Sequence, residues 1–205
     1  MNVIFKLTIL SLVILFSCSN EDEVSIGTQV WTKSNLNIAV FRNGDSILEA
    51  KTLDEWNKAI KSKQPAWCYY GNKPENGKLY GKLYNVYTVT DPRNLAPEGW
   101  KIPSDEEWQT LQNYLGARDA GKKMKLPELW GKDNTNESGF SAYPAGMKNS
   151  YGFSDLGFRT FWWSYPDNSY KQHVYTLLRN DDDLSRFTSS YGVNESGYSV
   201  RCIRE

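Results

Sequence analysis

Cys68 and Cys202 are the first residues to consider for chemistry, because a thiol can form a disulfide, bind a metal or act as a nucleophile. In an oxidising compartment an even pair of cysteines predicts a disulfide. It would close a loop of more than about 100 residues and stabilise the fold by up to about 4–5 kcal/mol. The bond also requires Cα atoms within about 7 Å of each other, which a sequence does not reveal. Two buried free thiols are therefore the alternative.

The neighbours of Cys202 do not favour thiol catalysis. A reactive thiol needs a cationic neighbour or a helix N-terminus to stabilise its thiolate. Arg201 precedes Cys202 in the chain, but the alternation of side chains along a strand turns the arginine away from the thiol.

His173 and the acidic run at residues 180–183 are the other candidates for acid–base or metal chemistry. One imidazole cannot build a histidine-rich zinc site. Its stretch alternates like a strand, which favours a surface or half-buried histidine. The acidic run offers oxygens to Ca²⁺, but its spacing matches no EF-hand pattern. Asn and Asp adopt turn geometry readily, so a solvated hairpin turn is favoured. We expect no metal site and no cofactor.

Aromatic side chains cluster in residues 161–170, where they could form a ligand surface. Exposed Trp and Tyr rings stack on sugar rings, and nearby carboxylates and amides can bond to hydroxyls. The residues of this candidate ligand surface are Trp162, Trp163, Tyr165, Asp167 and Asn168. Along a strand, at most one of each adjacent pair is expected to face out. Because large aromatic residues are more often buried than exposed, a core strand is the favoured interpretation.

Two helices are predicted from their N-terminal caps. Thr52 and Glu55 match the capping-box pattern and are followed by apolar residues at helical spacing. Ser104 and Glu107 match it again, and Gly116 is a suitable C-terminal stop. These helices are expected to form the rigid frame that positions the loops.

The rest of the chain predicts short strands and long ordered loops. Residues 26–31 alternate between apolar and polar and are expected to form the strand that opens the domain. Elsewhere Gly, Asn, Asp or Pro interrupts the pattern every few residues. The predicted fold class is therefore α+β.

Residues 1–17 have the features of an export signal. Residues 3–17 are mostly apolar but too short to span about 30 Å of hydrocarbon. The sequence LFSC that ends at Cys18 resembles the lipobox of bacterial lipoproteins, which implies lipid attachment to Cys18. Two or more acyl chains give stable membrane anchoring, so the expected membrane contact is through this lipid.

Residues 18–25 form an acidic tether between the anchor and the domain. Acidic residues directly after the lipidated cysteine resemble the signal that sends lipoproteins of the Bacteroidota type to the outer face of the outer membrane. A solvated linker that happens to be acidic is the alternative. The expected location is the cell outer membrane, facing the exterior. The 24 basic and 24 acidic residues give no net field that would attract nucleic acid.

Six stretches, taken together, resemble one family. They are PAWCYY (65–70), YGKLYN (80–85), PEGWKIPSDEEW (97–108), GFSA (139–142), FWWS (161–164) and SVRCIR (199–204). They resemble the Fibrobacter succinogenes major paralogous domain over residues 26–205. That family is similar to formylglycine-generating enzymes and C-type lectin-like domains. The resemblance implies two helices, small twisted antiparallel sheets and long ordered loops that display a binding surface.

The resemblance also bears on the cysteines. Relatives often carry a cysteine at the position of Ala96, so the usual partner of Cys202 is absent here. Formylglycine-generating enzymes use two cysteines close together in sequence to bind copper, and this chain has no such pair. The resemblance therefore points away from that enzymatic activity.

These observations predict a non-catalytic, lipid-anchored binding or adhesion module for a glycan or a surface protein. Its domain organisation is a signal peptide (1–17), the tether (18–25) and one domain (26–205). Two alternatives stay open: a degenerate or divergent enzyme of the formylglycine-generating-enzyme-like superfamily, and a structural subunit of an envelope complex.

Overall fold

A computed structural model describes residues 22–166, 172–188 and 193–205. The predicted signal peptide, the lipid-attachment residue Cys18 and most of the tether therefore lie outside the described residues. Two members of the candidate ligand surface, Asp167 and Asn168, also lie outside them.

The described residues form a mixed α+β domain with two sheets. Its strands are β1 (Glu23–Ile26), β2 (Gln29–Thr32), β3 (Leu48–Glu49), β4 (Ala66–Cys68), β5 (Leu83–Asn85), β6 (Trp100–Lys101), β7 (Ala145–Asn149), β8 (Gly152–Leu156), β9 (Arg159–Trp163), β10 (His173–Leu178), β11 (Ser185–Thr188), β12 (Gly197–Tyr198) and β13 (Ile203–Arg204). One sheet has the order β1-β2-β13-β6. The other has the order β11-β10-β9-β7-β12-β5-β4-β3, with β8 paired to β7. It is larger than the small antiparallel sheets expected, and it is mixed, because β3 is parallel to β4 and β7 to β9.

The domain opens with a hairpin rather than the single strand expected at residues 26–31. β1 and β2 pair antiparallel, with Ile26 opposite Gln29. Gly27 has a φ of 62°, in the left-handed region that a tight turn uses and that favours glycine. The apolar–polar alternation is thus interrupted by the turn.

Both predicted helices are confirmed, with four short helices added. The helices are α1 (Leu53–Lys61), α2 (Gly77–Tyr80), α3 (Val86–Val89), α4 (Asp105–Leu115), α5 (Ala120–Met124) and α6 (Pro127–Trp130). The capping boxes of Thr52 and Ser104 are both formed, and α4 ends at Gly116 as predicted. The four short helices have no more than five residues each, so they lack the repeated apolar spacing that would predict a helix.

Strand β9 lies between two aromatic parts of the core, which corrects the candidate ligand surface. Phe161 and Trp163 pack in one core cluster, and Trp162 packs in another. Trp162 and Trp163 are both 0% exposed. Alternation does turn them to opposite faces, but both faces of this central strand are covered. Neither tryptophan can therefore contact a ligand, as the core interpretation held.

Arg201 is fully buried and bonds to backbone and amide oxygens. Its Nη1 donates to the carbonyls of Thr32 and Phe140, both at 2.7 Å, and its Nη2 donates to the carbonyl of Ser141 at 2.8 Å. Its Nε donates to Oδ1 of Asn35 at 2.9 Å. Among the described residues no carboxylate forms an ion pair with it. Burial lowers the pKa of the guanidinium to about 9, so it remains charged at neutral pH.

We expect Arg201→Met to lower the free energy of unfolding by about 3–5 kcal/mol, because it removes four hydrogen bonds from the interior and, among the described residues, leaves only the Asn35 oxygen with another donor, Nε1 of Trp162. Arg204→Met is the matched control. Its side chain is half-exposed and pairs with Glu23, so its loss should cost about 1 kcal/mol or less. Urea unfolding of both variants measures the difference. Equal, small effects would show that the buried network contributes little.

Candidate functional site

Two clefts flank the short helix α3, and together with it they form a surface that we call the α3 face. The Tyr165 cleft has a volume of about 270 Å³ and is lined by Arg42, Val89, Asn94, Ala96, Lys101, Ile102, Tyr165 and Glu205. The Tyr87 cleft has a volume of about 440 Å³ and is lined by Lys63, Val86, Tyr87, Thr90, Pro166, Gln172 and Asn194. Both combine a tyrosine with apolar and polar side chains, which is typical of ligand sites.

Asn85 fixes α3 in place. It is the N-cap of α3, and its buried Oδ1 accepts from the N–H of Thr88 at 3.0 Å and from the N–H of Ala66 at 3.1 Å. Its Nδ2 donates to the carbonyl of Gln64 at 2.8 Å. The side-chain amide of Asn85 therefore caps α3 and links it to β4, so the backbone beneath the α3 face is held in a fixed position.

Tyr165 is the one described member of the candidate ligand surface that is exposed. It follows the buried strand β9, and its N–H donates to the carbonyl of Pro103 at 2.7 Å. This bond holds the backbone against the start of α4, whereas 43% of the side chain is exposed. Of the predicted set, Tyr165 is therefore exposed beside a cleft, whereas Trp162 and Trp163 of β9 are core residues.

The charged side chains of the Tyr165 cleft are paired. Arg42 Nη2 lies 3.0 Å from a carboxylate oxygen of Glu205, and Lys101 Nζ lies 2.8 Å from one of Glu107. Arg42 also donates to the carbonyls of Ala96 at 3.1 Å, Pro97 at 3.0 Å and Trp100 at 2.7 Å. The pairing leaves a polar rim of low net charge around the exposed tyrosine.

Cys68 and Cys202 are free, buried thiols, which corrects the predicted disulfide. They belong to different clusters of the core, so the fold does not bring them together. Burial raises the pKa of each thiol to about 12. Because the pKa of each thiol is higher in the folded than in the unfolded chain, its contribution to the free energy of unfolding is fully present below about pH 9. That contribution is lost as the pH rises through about 12.

His173 is buried rather than at the surface or half-buried, and the side chains that its ring contacts come from β11, which pairs with β10. Its Nδ1 lies 2.8 Å from Oγ1 of Thr188, and its Nε2 lies 3.2 Å from Nη2 of Arg186. Arg186 in turn pairs with Asp105 at 2.6 Å, and Tyr175 donates to the same carboxylate at 2.8 Å. Burial, and then the bond to Asp105, raise the pKa of Tyr175. These groups cross-link β10, β11 and the start of α4.

Asn180 and the three aspartates that follow it lie in the turn that joins β10 to β11, as predicted. Lys125 Nζ donates to the carbonyl of Asp181. In the described ranges, no three His, Cys, Asp or Glu side chains form a group that could hold a metal ion.

The protein is therefore a mixed α+β domain, and loops form much of the lining of the two clefts of the α3 face. The chain belongs to the Fibrobacter succinogenes major domain family, whose model matches residues 24–204. No curated protein and no solved structure matches it. No helix in the described part of the chain has the length and apolar character needed to cross a membrane.

Sequence reasoning missed most of the α3 face. Tyr87 was not singled out, because a one-turn helix gives no periodic signal. Asn94 and Arg42 come from loops far apart in sequence. The one signal in the sequence was the residue type at Asn94, because asparagine favours turns; the structure gives this residue a left-handed φ of 60°.

We expect neither Cys68 nor Cys202 to react with a maleimide in the folded protein at pH 8. Both are buried, and a pKa of about 12 leaves a thiolate fraction about a thousandfold smaller than that of an ordinary thiol. Peptide mapping by mass spectrometry, before and after urea unfolding, measures the labelling. A Tyr151→Cys variant is the control, because that position is 89% exposed and should react at once. Rapid labelling of Cys202 in the folded protein would instead support the alternative of a divergent enzyme with a reactive thiol.

Proposed function

We propose that this protein is a lipid-anchored envelope protein whose domain binds an extracellular glycan or protein through the α3 face, without catalysing a reaction. The observation that carries the proposal is the α3 face itself, where two clefts with tyrosine, amide and hydroxyl groups lie side by side. Such a surface offers apolar contact and hydrogen bonds without a reactive group at its centre.

The buried position of the thiols supports a non-catalytic role. A thiol nucleophile must reach its substrate as the thiolate. Cys202 is 0% exposed, and burial raises the pKa of its thiol to about 12. His173 and Asp105 are also held in bonds to other side chains of the domain. These groups stabilise the fold instead of facing the clefts.

The mixed α+β fold with long ordered loops is consistent with a C-type lectin-like architecture, which we include in the proposal. In such folds, loops that are held by a rigid frame form the binding surface. Here the frame is α4 and the strands around β9, and the α3 face is built largely by loops and the one-turn helix between them.

The anchor would hold the domain close to the membrane. The first strand starts at Glu23, five residues after Cys18. A fully extended chain of this length spans about 17 Å. A domain held this close to the outer membrane, on its exterior face, would meet ligands at the cell surface.

We expect Cys18→Ala to release the protein from the membrane fraction. The lipid is the proposed membrane contact, and at least two acyl chains are needed for stable anchoring. Intact mass spectrometry of the unaltered protein should show the loss of residues 1–17 and the addition of acyl chains. Cys68→Ala is the control and should remain in the membrane fraction. A wild-type mass with the leader attached and a bare thiol at Cys18 would contradict the proposed anchor.

We expect Tyr165→Ala to weaken ligand binding at least tenfold, about 1.4 kcal/mol, without a change in the unfolding midpoint. The ring is half-exposed in the cleft, and the backbone bond to Pro103 does not need it. Arrays of glycans and of surface proteins, read against a heat-denatured sample, identify the ligand. Tyr151→Ala is the matched control, since that ring is exposed but lines neither cleft. If array binding is unchanged in Tyr165→Ala, the ligand binds outside the Tyr165 cleft.

A further inference from the structure

A third cleft, separate from the α3 face, contains a tyrosine ring that is both exposed and held in position. Tyr114 lies near the end of α4 and is 66% exposed. One face of its ring packs on Gly27 in the β1–β2 turn. A Cβ atom at Gly27 would lie 2.9 Å from Cδ2 of the ring and 3.1 Å from Cγ. The glycine therefore allows the turn and also lets the ring lie flat against the backbone.

This position makes the ring a preformed platform. An exposed side chain normally loses rotamer freedom when it binds a ligand, and that loss weakens binding. The contact with Gly27 already restricts the ring of Tyr114, and most of the ring surface remains open to solvent. The remaining open face can stack on a flat apolar surface at a small entropic cost.

The ring borders a cleft of about 390 Å³, which we call the Tyr114 cleft. Ile26 and Leu115 contribute apolar lining, and Lys123, Glu137 and Ser138 contribute polar groups. The size falls in the range of small-molecule sites. A lining that combines an aromatic ring with polar groups suits a ligand that has both an apolar face and hydroxyl groups.

The charges in the Tyr114 cleft are balanced. Lys123 Nζ lies 3.4 Å from a carboxylate oxygen of Glu137 and donates to the carbonyl of Leu115 at 2.8 Å. The paired ammonium and carboxylate still offer a donor and acceptors to a hydroxyl group. A strongly charged ligand would have to break this pair, whereas a neutral hydroxyl-rich ligand would not.

We propose that the Tyr114 cleft binds a pyranose ring of a neutral oligosaccharide. The apolar face of the sugar stacks on Tyr114, and its hydroxyls bond to Lys123 and Glu137. The site goes beyond the proposed function, which rests on the α3 face. Tyr165 pairs with Ser104 at the start of α4, and Tyr114 lies ten residues further along, a rise of about 15 Å along the helix axis.

The test uses the purified full chain in a detergent that contains no sugar. The probes are cellohexaose, maltohexaose, xylohexaose and mannohexaose, with hexagalacturonate as the acidic comparator. Saturation-transfer NMR and titration measure binding. We expect at least one neutral probe to bind, with an affinity that changes less than twofold between 0.05 and 0.5 M salt, because no net charge attracts it.

Four variants locate the site. Tyr114→Ala should weaken binding at least tenfold, and Tyr114→Phe, which keeps the ring, should stay within about twofold. Gly27→Ala should weaken binding while Tyr114 is still present, because the added Cβ displaces the ring. Tyr151→Ala, an exposed tyrosine outside the cleft, should have no effect.

The outcomes separate this proposal from the previous one. Binding that is lost in Tyr114→Ala and kept in Tyr165→Ala supports the Tyr114 cleft, whatever the α3 face binds. Binding that is lost only in Tyr165→Ala supports the α3 face and overturns the assignment to Tyr114. Failure of all four neutral probes, or binding of hexagalacturonate alone, also overturns it.

Discussion

The buried guanidinium of Arg201 is the interaction on which the arrangement of the domain depends. It connects the end of β2, through Thr32, to the loop at Phe140 and Ser141. Asn35 extends the network, since its Oδ1 accepts from Arg201 at 2.9 Å and from Nε1 of Trp162 at 2.9 Å. The four-stranded sheet, an irregular loop and β9 of the large sheet thus share one set of hydrogen bonds.

Burial of a charge without a carboxylate is costly, and the structure offsets the cost in two ways. The four hydrogen bonds replace those that the guanidinium would make with water. The guanidinium carbon also lies 4.4 Å from the centroid of the Phe140 ring, which interacts favourably with a cation. The planar fork of arginine bonds to four oxygens of two separate segments at once, which a lysine could not reproduce.

Other buried cations follow the same principle. Lys82 Nζ bonds to Asn37 and Tyr69 and lies 4.3 Å from the Trp67 ring centroid. Lys125 Nζ bonds to a loop carbonyl, and Lys148 Nζ lies 4.3 Å from the ring centroid of Phe153. In a domain rich in loops, many buried carbonyls find no donor in regular secondary structure. Long basic side chains supply donors here, and aromatic rings lie against their charged groups.

The sequence alone determined the features that depend on neighbouring residues and on shared motifs. The capping boxes at Thr52 and Ser104 place α1 and α4 because a cap needs only groups within one turn. The acidic turn before β11 follows from local backbone preferences in the same way. The family and the α+β class were also predicted, because long motifs and frequent breaks are visible without a structure.

Tertiary structure decided what depends on segments far apart in the chain. Both faces of β9 are covered, so Trp162 and Trp163 are core residues, and Tyr165 is the one exposed residue among the three described members of that candidate surface. The two cysteines lie in separate core clusters, and His173 is buried with its ring nitrogens against side chains of β11. The α3 face and the Tyr114 cleft each combine loops or turns with a helix end, so no continuous stretch of sequence contains either site. Burial and charge pairing depend on the sum of all neighbours in space, and only the folded chain brings those neighbours together.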